Sequence, residues 1–576
     1  MSTSSKFSNE SVVKLLREVA AAYEIKGNEP FRIRAYINAA DAIEHASSEV
    51  KDLWDDANLQ EIPGIGKGIA TYLDEYFRTG KVTHFEDLKE KYPSGMFNLL
   101  GVPSVGPKRA YRLAKELKLD SVEELRKACE DHQVAKLEGF GELSEQDILK
   151  GILELESRSQ RILLPIALSI AQRYLDYLKK CQDVVRVDPL GSLRRRVATV
   201  GDLDISVATK DPPTVTKYFT QYPEISRVLS CGNNKASVVL KTGQQVDLMT
   251  QKPEAYGALL QHFTGSKNHN IHLRAYAQEQ GLSLSEYGIK KGEKLQEYAS
   301  EEDFYQALGM GWIPPELRED TGEIEAALAK KLPQLVEAKD ILGDLHAHTV
   351  YSDGQNSPEK MLEAARSLGR KYLAMTDHCP SLKTRSKKEI EAWISQRDAE
   401  IKTAAKKIGV EALSGVEVNI DAEGQLAFPD VYLSHYDLVI AAIHTSFNQS
   451  KDRLTERLLT AANNPHVDII AHPTGRLLNT REGYDIDWPT IFKACAKTQT
   501  ALEINCQFDR LDLPDTLVRE GLKYGVIFAL GSDSHSFETL DSLEYGVSVA
   551  RRGWCSKKSI VNAWSLKELN FWLKRS

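Results

Sequence analysis

Three aspartates in the middle of the chain have the residue type and spacing of a metal site on a β-sheet. Asp202 and Asp204 alternate with apolar residues, and side chains two apart in a strand point to the same face. Two carboxylates at this spacing repel each other unless a cation lies between them, and hard oxygen ligands favour Mg²⁺. Asp247 lies between two apolar residues in a predicted hairpin at 236–249. Three carboxylates on adjacent strands suffice for two ions about 3.5–4 Å apart.

A glycine-serine turn precedes these aspartates. Gly191 and Ser192 open a turn whose backbone amides can bind a phosphate, as helix N-termini do, and three arginines follow at 194–196. Phosphoryl transfer depends mainly on positioning and on neutralising charge, which metals and arginine supply. A lone Asp-x-Asp is often only an exposed strand end, and a solvated basic surface is the less favoured alternative for Arg194 and Arg196. The combination nevertheless favours an α+β nucleotidyltransferase palm.

A second set of reactive residues lies in the last third of the chain. Short apolar runs alternate there with helical segments, at residues 340–349, 372–378, 411–420, 437–444, 467–472, 501–505 and 527–535. Seven strands, each followed by a helix or long loop, predict a parallel (β/α)7 barrel of TIM type, in which chemistry lies at the carboxyl ends of the strands. Nine metal-ligating residues lie at those ends: His346, His348, Asp353, His378, Glu417, His444, His472, Asp533 and His535.

These nine residues favour a metal cluster over isolated structural histidines. A single histidine at a strand end is usually only hydrogen-bonded, but nine ligands at the same end of successive strands are difficult to explain in that way. Mixed imidazole and carboxylate ligands suit Mn²⁺ or Zn²⁺, and nine exceed the need of one ion, so we expect two or three. Arg476 is either a phosphate contact or a surface arginine, and Asp377 is a candidate partner of the ligands.

The elements in front of the palm are helical. Residues 9–50 have the spacing of amphipathic helices, and the segments 62–70 and 100–110 each contain a tight turn that leads into a helix with Lys or Arg in its first turn. In the second segment Ser104 stands where the first has Gly64. Such helix-hairpin-helix units bind a phosphodiester through backbone amides and recognise shape, not sequence.

Composition bounds the class of protein. A chain of 576 residues exceeds what one core serves, so we expect a multidomain protein. Its net charge of −8 argues against a polycation that coats nucleic acid, although local basic grooves remain compatible with it. Seven scattered cysteines indicate reduced thiols. There is no apolar run of membrane-spanning length and no secretory core, so we expect a cytoplasmic protein without a membrane partner.

On these motifs, and on the segment 256–274, residues 1–320 resemble the family X DNA polymerases, arranged as in DNA polymerase beta. The last third resembles a PHP (polymerase and histidinol phosphatase) domain with all nine ligand positions filled, and the two together resemble a bacterial family X polymerase. The resemblance implies six parts: a lyase-like helix-hairpin-helix domain at 1–88, a second at 89–157, the palm at 158–258, a nascent-pair-binding domain at 259–320, a linker at 321–340 and a distorted TIM-like PHP barrel at 341–576.

The resemblance also implies roles for individual residues. Asp202, Asp204 and Asp247 would bind two Mg²⁺ ions, and Asp247 would activate the primer 3′-hydroxyl. The dNTP-binding residues would be Gly191, Ser192, Arg195, Gly201, His262, Phe263, Thr264, Gly265 and Asn270. The DNA-binding residues would be Gly64, Gly66, Lys67, Val105, Gly106, Lys108 and Arg274.

The chain departs from the family pattern at three positions. Tyr72 stands where the animal members have a lyase lysine, and a Schiff base requires an amine. His262 replaces the tyrosine beside the sugar of the incoming nucleotide, which bears on sugar discrimination. The arginine expected near Leu164 for the outer phosphate is absent.

We also expect 313–318 to form a stiff extended arm, and His269 and His272 to lie at the surface.

The implied function is gap-filling DNA repair, including base excision repair. A monomer in the bacterial cytoplasm, associated with the nucleoid when on DNA, would bind gapped or nicked DNA and dNTPs. Its PHP domain would be a Mn²⁺-dependent 3′→5′ exonuclease, with 3′-phosphatase or AP endonuclease activity as further options. The main alternative is a phosphoesterase or nuclease with a weak or vestigial polymerase. Nucleotidylation of RNA ends or small molecules, and a non-enzymatic scaffold that holds broken ends, are less favoured.

Overall fold

The computed structural model describes residues 9–27, 29–44, 50, 54, 59, 64–102, 104–159, 161–382 and 385–574. The chain forms two compact units, one of Met1–Gln160 with Val239–Gln245 and the other of Arg161–Val238 with Val246–Ser576. Ile62 and Pro63 of the first predicted hairpin, Pro103 of the second, and residues 1–8, in which no secretory core is expected, lie outside the described residues.

The described residues before 160 are helical, as predicted. The helices are α1 Asn9–Lys26, α2 Pro30–Glu44, α3 Lys67–Thr79, α4 Thr83–Lys89, α5 Ser94–Leu99, α6 Pro107–Glu116, α7 Val122–Glu130 and α8 Glu142–Ser159. The apolar residues that predicted α1 are all buried: Val12, Leu15, Leu16, Val19 and Ala20. They belong to one apolar core that all eight helices share.

Both predicted hairpins form turns with a left-handed residue at the same place. Gly64 has φ +90° and Ser104 has φ +71°, and the helices α3 and α6 begin three residues later. A left-handed conformation costs a residue with a side chain roughly 1–2 kcal/mol. The Ser104 hydroxyl donates a hydrogen bond to the carbonyl of Asp147 at 3.2 Å, which helps to hold the turn.

The second unit begins with an α+β domain. Its elements are β1 Ile162–Leu163, α9 Leu164–Leu178, β2 Arg186–Pro189, α10 Gly191–Arg194, β3 Thr199–Val200, β4 Leu203–Ala208, α11 Pro212–Phe219, β5 Ile225–Cys231, β6 Lys235–Leu240 and β7 Gln245–Gln251. The sheet has the order β2-β4-β7-β6-β5. Because β4 and β7 are parallel neighbours, residues at the start of one strand lie beside those at the start of the other.

A second α+β segment follows the palm. It contains α12 Tyr256–Thr264, α13 Lys267–Glu279, β8 Ser283–Ser285, β9 Gly288–Lys291, β10 Lys294–Gln296, α14 Glu301–Ala307 and α15 Glu323–Leu328. The prediction of an extended arm at 313–318 is wrong. Pro315–Leu317 forms a 3₁₀ turn, and Arg318 is fully buried because its guanidinium donates to the Glu301 carboxylate at 2.6 Å.

The remainder is the predicted barrel. Its strands are β11 Gly343–Asp344, β12 Tyr372–Met375, β13 Glu411–Asn419, β14 Leu438–Ala442, β15 Ile469–Ile470, β16 Ala501–Asn505 and β17 Phe528–Gly531. The helices are α16 Pro358–Ser367, α17 Lys387–Ile408, α18 Asp430–Leu433, α19 Lys451–Asn463, α20 Trp488–Thr498, α21 Asp515–Tyr524, α22 Leu543–Arg552 and α23 Leu566–Leu573. The strands are parallel and in chain order, and a bridge between Ala347 and Ser534 joins the first to the last.

The seven cysteines are free thiols, and five of them are buried: Cys129, Cys181, Cys495, Cys506 and Cys555. Within the described ranges, no helix combines the length and the apolar character needed to cross a membrane. The placement of the reactive residues depends instead on the palm sheet and on the barrel.

One buried side chain links the first and the last strand of the barrel. Asn562 donates through Nδ2 to the carbonyl of Gly343 on β11 at 3.0 Å and to that of Leu530 on β17 at 2.8 Å. Its Oδ1 accepts from the amide of Leu530 at 2.6 Å. The first and last strands are therefore joined by a side chain where they lack a full backbone ladder.

Replacing this residue, Asn562→Ala, should destabilise the barrel. Two carbonyls and one amide lose a buried partner, and we expect the free energy of unfolding to fall by about 2 kcal/mol. Thermal unfolding of the full chain measures the change. The control Asn463→Ala alters an exposed side chain on α19. Equal melting temperatures for the two variants would show that Asn562 does not close the barrel.

Candidate active sites

The three aspartates of the palm lie together. Asp204 on β4 is directly opposite Asp247 on the parallel strand β7. The apolar neighbours Leu203 and Ile205 are fully buried and fix the face to which Asp204 points. Asp202 lies in the bend before β4. The spacing and the strand pairing thus bring the carboxylates to the same edge of the sheet.

The electrostatics of this cluster suit a divalent cation. Burial, followed by the carboxylates of Asp247 and Asp202, raises the pKa of Asp204 to about 8, although Arg195 acts in the opposite direction. Like charges in one site raise a carboxyl pKa because they disfavour a second ionised group. Divalent cations suit this set of carboxylate oxygens, since a bound cation would relieve the repulsion.

The glycine-serine turn lies against the same carboxylate. Gly191 has φ +56°, and a Cβ there would lie 2.5 Å from Asp204 Oδ2, so only glycine fits without displacing the aspartate. The amide of Leu190 donates to the carbonyl of Asp204 at 2.8 Å. Ser192 follows in the short helix α10. The predicted phosphate turn therefore packs directly against Asp204 and is hydrogen-bonded to its backbone.

The arginines of the turn reach the segment after the palm. Arg195 donates through Nη1 to the carbonyl of Thr264 at 2.6 Å and through Nε to the Glu319 carboxylate at 2.9 Å. In the described residues its Nη2 has no acceptor. Arg194 is not the solvated basic residue that the sequence allowed, because it is mostly buried and paired with Glu301. The interpretation of Arg194 as a surface charge is therefore wrong.

Other predicted nucleotide contacts cluster at the end of α12. His262 is buried, and its ring meets that of Phe263 edge-on at 4.8 Å between centroids. Asn270 on α13 donates through Nδ2 to the carbonyl of His262 at 2.7 Å. Gly265 has φ +64°, and a Cβ there would lie 3.3 Å from Arg195 Nη1. The segment thus approaches the turn at 191–196 through Gly265.

Two further sequence expectations can be compared with the structure here. Arg274 lies one turn after Asn270 on α13 and donates to its carbonyl at 3.3 Å. His269 is fully buried, between Glu323 at 2.7 Å and the Tyr305 hydroxyl at 3.0 Å, so the prediction of a surface role is wrong. Its burial is compatible with the hydrogen bonds to Glu323 and Tyr305, which the sequence spacing did not reveal.

Glu417 lies at the centre of the barrel cluster. It is fully buried, and its two oxygens lie 3.1–3.4 Å from imidazole nitrogens of five histidines. These are His346, His348, His378, His444 and His472. Burial alone would raise the pKa of Glu417, but His346 and the hydrogen-bonded histidines lower it well below its usual value.

The other two carboxylates complete the cluster. Asp533 Oδ1 lies 3.3 Å from His348 Nε2 and 3.6 Å from His346 Nε2. Asp353 Oδ2 lies 3.1 Å from His535 Nε2. The structure therefore brings together all nine residues that the sequence singled out.

Eight of the nine residues, all but His472, form three overlapping groups of ligand atoms. One contains His348, Asp353, His378 and His535, and a second contains His346, His348 and Asp533. The third contains His378, Glu417 and His444, and in each group the ligand atoms lie within 4.8 Å of one another. Three groups of mixed imidazole and carboxylate donors fit two or three Mn²⁺ or Zn²⁺ ions.

Comparison with known proteins agrees with this geometry. Residues 7–82 match a helix-hairpin-helix domain, 97–152 a SAM-like helix-hairpin-helix tandem, 259–319 the DNA polymerase beta thumb and 344–507 the PHP domain. The chain is 38% identical over 572 residues to the DNA polymerase/3′-5′ exonuclease PolX of Bacillus subtilis (strain 168), covering 98% of this chain and 99% of that protein. The chain belongs to the family X DNA polymerases with a PHP domain.

Shorter relatives match the barrel. A probable phosphatase of Thermoanaerobacter sp. (strain X514) is 31% identical over 232 residues, which is 38% of this chain and 89% of that protein. A probable phosphatase of Shewanella sp. (strain MR-4) is 27% identical over 243 residues, 40% of this chain and 91% of that protein. The PHP part of this family X polymerase thus resembles proteins that consist largely of such a domain.

The position of the family's lyase lysine is aromatic in this chain. Tyr72 on α3 stacks on His84 with ring centroids 5.6 Å apart, and the Tyr23 hydroxyl lies 2.8 Å from His84 Nε2. Lys67 is exposed at the start of α3, more than one helical turn away. Tyr72 offers no amine for a Schiff base.

Sequence reasoning missed Arg161. The family X arginine expected near Leu164 is absent, but Arg161 donates through Nε to Thr199 Oγ1 at 2.9 Å. Its Nη1 lies 3.6 Å from the Cβ position of a side chain at Gly201, in the bend that carries Asp202. A guanidinium is thus present beside the bend that precedes β4, and only the contact between distant segments reveals it.

Glu503 was also missed. Its Oε1 lies 2.6 Å from His346 Nδ1, and its Oε2 accepts from the amide of His472 at 2.7 Å. Burial would lower the pKa of His346, but Glu503 and Asp533 raise it well above its usual value. A carboxylate behind a ligating imidazole fixes its orientation. The sequence did contain one signal of this role, a glutamate within an otherwise apolar run that forms the fully buried strand β16.

The two candidate neighbours of the PHP cluster differ. Asp377 accepts from the amide of Thr349 at 2.6 Å, from Ser352 Oγ at 3.1 Å and from Arg397 Nε at 2.7 Å, and so holds the loop that carries the ligand Asp353. Arg476 donates instead to the carbonyls of residues 510 and 511. Its guanidinium therefore stabilises a neighbouring loop.

Removal of a shared ligand tests the metal cluster. His378 belongs to two of the three groups, so His378→Ala should reduce the number of tightly bound Mn²⁺ ions by at least one. Equilibrium dialysis with elemental analysis measures this number. The variant His466→Ala, which changes a histidine outside the cluster, should bind as many ions as the wild type. An unchanged number in His378→Ala would contradict the assignment.

The pKa of Asp204 predicts a pH effect in metal-free protein. An aspartate in an unfolded chain has a pKa of about 3.9. Because the folded value is about 8, the folded protein holds the extra proton between these values, and the free energy of unfolding falls as pH rises through this window. In EDTA, Asp204→Asn should remove this part of the pH dependence from pH 5 to 8.5. Asp183→Asn, at an exposed position, should keep it, and identical curves for all three proteins would disprove the effect.

Proposed function

We propose that this chain fills short gaps in DNA by template-directed addition of dNMP from dNTPs, and shortens 3′ ends in its PHP domain. The observation that carries the first activity is the pairing of Asp204 with Asp247 beside the turn at Gly191. The relative from Bacillus subtilis carries the name DNA polymerase/3′-5′ exonuclease, and its similarity extends over nearly the whole chain.

The palm residues have distinct roles in nucleotide addition. Asp202, Asp204 and Asp247 would hold two Mg²⁺ ions, which when bound supply charge neutralisation at the transferring phosphoryl group. Asp247 takes the proton of the primer 3′-hydroxyl. The 3′-oxygen then forms a bond to the α-phosphorus as the bond to the β-phosphate breaks, and pyrophosphate leaves.

The residues around the turn bind the nucleotide. Ser192 and the Nη2 donors of Arg195 face the triphosphate, while Gly201 permits its close approach. Asn270 contacts the minor-groove edge of the incoming base, and Arg274 contacts the template strand. His262, in place of a tyrosine, lies beside the sugar with Phe263, Thr264 and Gly265.

The PHP residues would remove nucleotides by hydrolysis. The nine ligands would hold two or three Mn²⁺ or Zn²⁺ ions, which when bound supply Lewis acidity toward a phosphodiester. Glu503 orients His346, and Asp377 holds the loop that carries Asp353. Water then replaces the 3′-oxygen of the penultimate nucleotide at phosphorus, which releases a nucleoside monophosphate. The similarity to probable phosphatases supports 3′-phosphatase or AP endonuclease activity as extensions of this chemistry.

The helical unit would bind the DNA that flanks the gap. In each hairpin the turn leads into a helix N-terminus, that of α3 or α6, where a phosphate is favoured. The residues involved are Gly64, Gly66, Lys67, Val105, Gly106 and Lys108. A monomer that binds gapped or nicked DNA in this way, in the bacterial cytoplasm and on the nucleoid, is suited to base excision repair.

A labelled duplex with a one-nucleotide gap tests both activities. With Mg²⁺ or Mn²⁺, and with or without dNTPs, lengthening and shortening of the primer are followed together. Asp202→Ala should lose lengthening by about 10³-fold or more and keep shortening, because several kcal/mol of charge stabilisation is removed from one site only. His346→Ala should show the reverse.

The controls for this assay are Asp183→Asn and His466→Ala, which change the same residue types outside both clusters. A wild type that shortens DNA but never lengthens it would favour the phosphoesterase with a vestigial polymerase. Loss of both activities in either active-site variant would show that the two sites are not chemically separate.

A further inference from the structure

Arg552 is a buried arginine at the last residue of α22, on the outside of the barrel. Its side chain is only 7% exposed. Nη1 donates to the backbone carbonyl of Arg195 at 2.8 Å and to Glu319 Oε1 at 2.9 Å, and Nη2 pairs with Asp515 Oδ2 at 2.8 Å. A residue of the PHP barrel thus contacts the phosphate-binding turn of the palm directly.

The contacts of Arg552 hold both the backbone and the side chain of Arg195. The carbonyl that accepts from Arg552 immediately precedes Arg196, whose φ of +57° is costly for a residue with a side chain. The Glu319 oxygen that accepts from Arg552 also accepts from Arg195 Nε at 2.9 Å. Burial would raise the pKa of Glu319, but the two arginines lower it.

The four side chains around Arg552 form a row of alternating positive and negative charges. Glu319 lies between Arg195 and Arg552, and Asp515 lies on the far side of Arg552. Because Arg552 supplies a second cation, the negative charge of Glu319 is shared between Arg195 and Arg552. The guanidinium of Arg195 can therefore keep Nε and Nη1 on protein acceptors while Nη2 remains for a phosphate.

Apolar packing keeps the end of α22 in place. Trp554, two residues after the helix, lies in the core formed by α13, α14 and the 3₁₀ turn at 315–317. The Arg519 guanidinium stacks on the Trp554 ring at 3.7 Å from its centroid. Ala198, just after the turn, packs against the barrel core. The position of Arg552 is therefore fixed on both sides.

We propose that Arg552 is a positioning residue for nucleotide addition, through which the PHP barrel orients Arg195 toward the triphosphate of the incoming nucleotide. This inference rests on the proposed polymerase function. It makes the barrel a structural part of the nucleotide site, independent of the barrel's own metal cluster. The chemical class recognised is a nucleoside triphosphate with its outer phosphates on Arg195.

Single-turnover filling of a one-nucleotide gap by the full chain tests this role. Arg552→Ala should raise the dissociation constant for dNTP by about tenfold or more, since loss of orientation at a binding guanidinium is costly. Affinity for the gapped duplex and the rate of 3′→5′ shortening should not change. Arg552→Lys, which keeps the charge but not the fork of donors, should recover part of the loss.

The adjacent arginine provides a matched control. Arg551 is also on α22 and also crosses to the polymerase part, where it pairs with Glu316 at 2.8 Å, but it does not contact Arg195. A general structural effect of the interface would make Arg551→Ala and Arg552→Ala equal, and that result would overturn the proposal. We expect only Arg552→Ala to weaken dNTP binding.

A second variant keeps the test independent of the folding of Arg552→Ala. Glu319→Gln should also weaken dNTP binding, and combining it with Arg552→Ala should add less than the sum of the single effects, since both act through Arg195. Two results would overturn this inference but not the polymerase function, provided that the wild type extends primers. One is additive effects of the two substitutions, and the other is a dNTP affinity that neither substitution changes. A wild type that never incorporates dNTP would overturn the polymerase function and this inference with it.

Discussion

The crowding of buried ionisable side chains is the constraint on which both halves of this molecule depend. In the palm, three carboxylates share one sheet edge, and burial together with the charges of the other two raises the pKa of Asp204 to about 8. In the barrel, Glu417 contacts five imidazoles within one buried volume. Hydrophobic strands force these groups together, and only rigid packing around them can hold such an arrangement.

The fold and the ligands were largely predictable because both follow short-range rules. Strand alternation predicted the facing positions of Asp204 and Asp247, whereas Asp202 lies in the bend before β4, and the ends of seven apolar runs predicted the positions of the nine barrel residues. All seven predicted strands occur, in chain order. Periodicity and strand-end position are written locally in the sequence, which is why they could be recognised without knowledge of the tertiary contacts.

The residues that escaped prediction depend on contacts between distant segments. Glu503 meets His346 across 157 positions of sequence, and Arg194 meets Glu301 across 107. His269 was expected at the surface because its partner Glu323 lies in another helix. Each is a polar side chain whose burial is permitted only by a partner that local pattern does not identify.

The alternation that builds the palm has a consequence for how this chain can vary in length. Asp247 faces Asp204 only in the observed register of β4 and β7. A one-residue insertion within β7 would turn the aspartate toward the hydrophobic interior and present Val246 or Leu248 in its place. Between β6 and β7, insertions and deletions are therefore tolerable in the turn at 241–244 but not within β7, because any shift along β7 moves the apolar residues and the aspartate together.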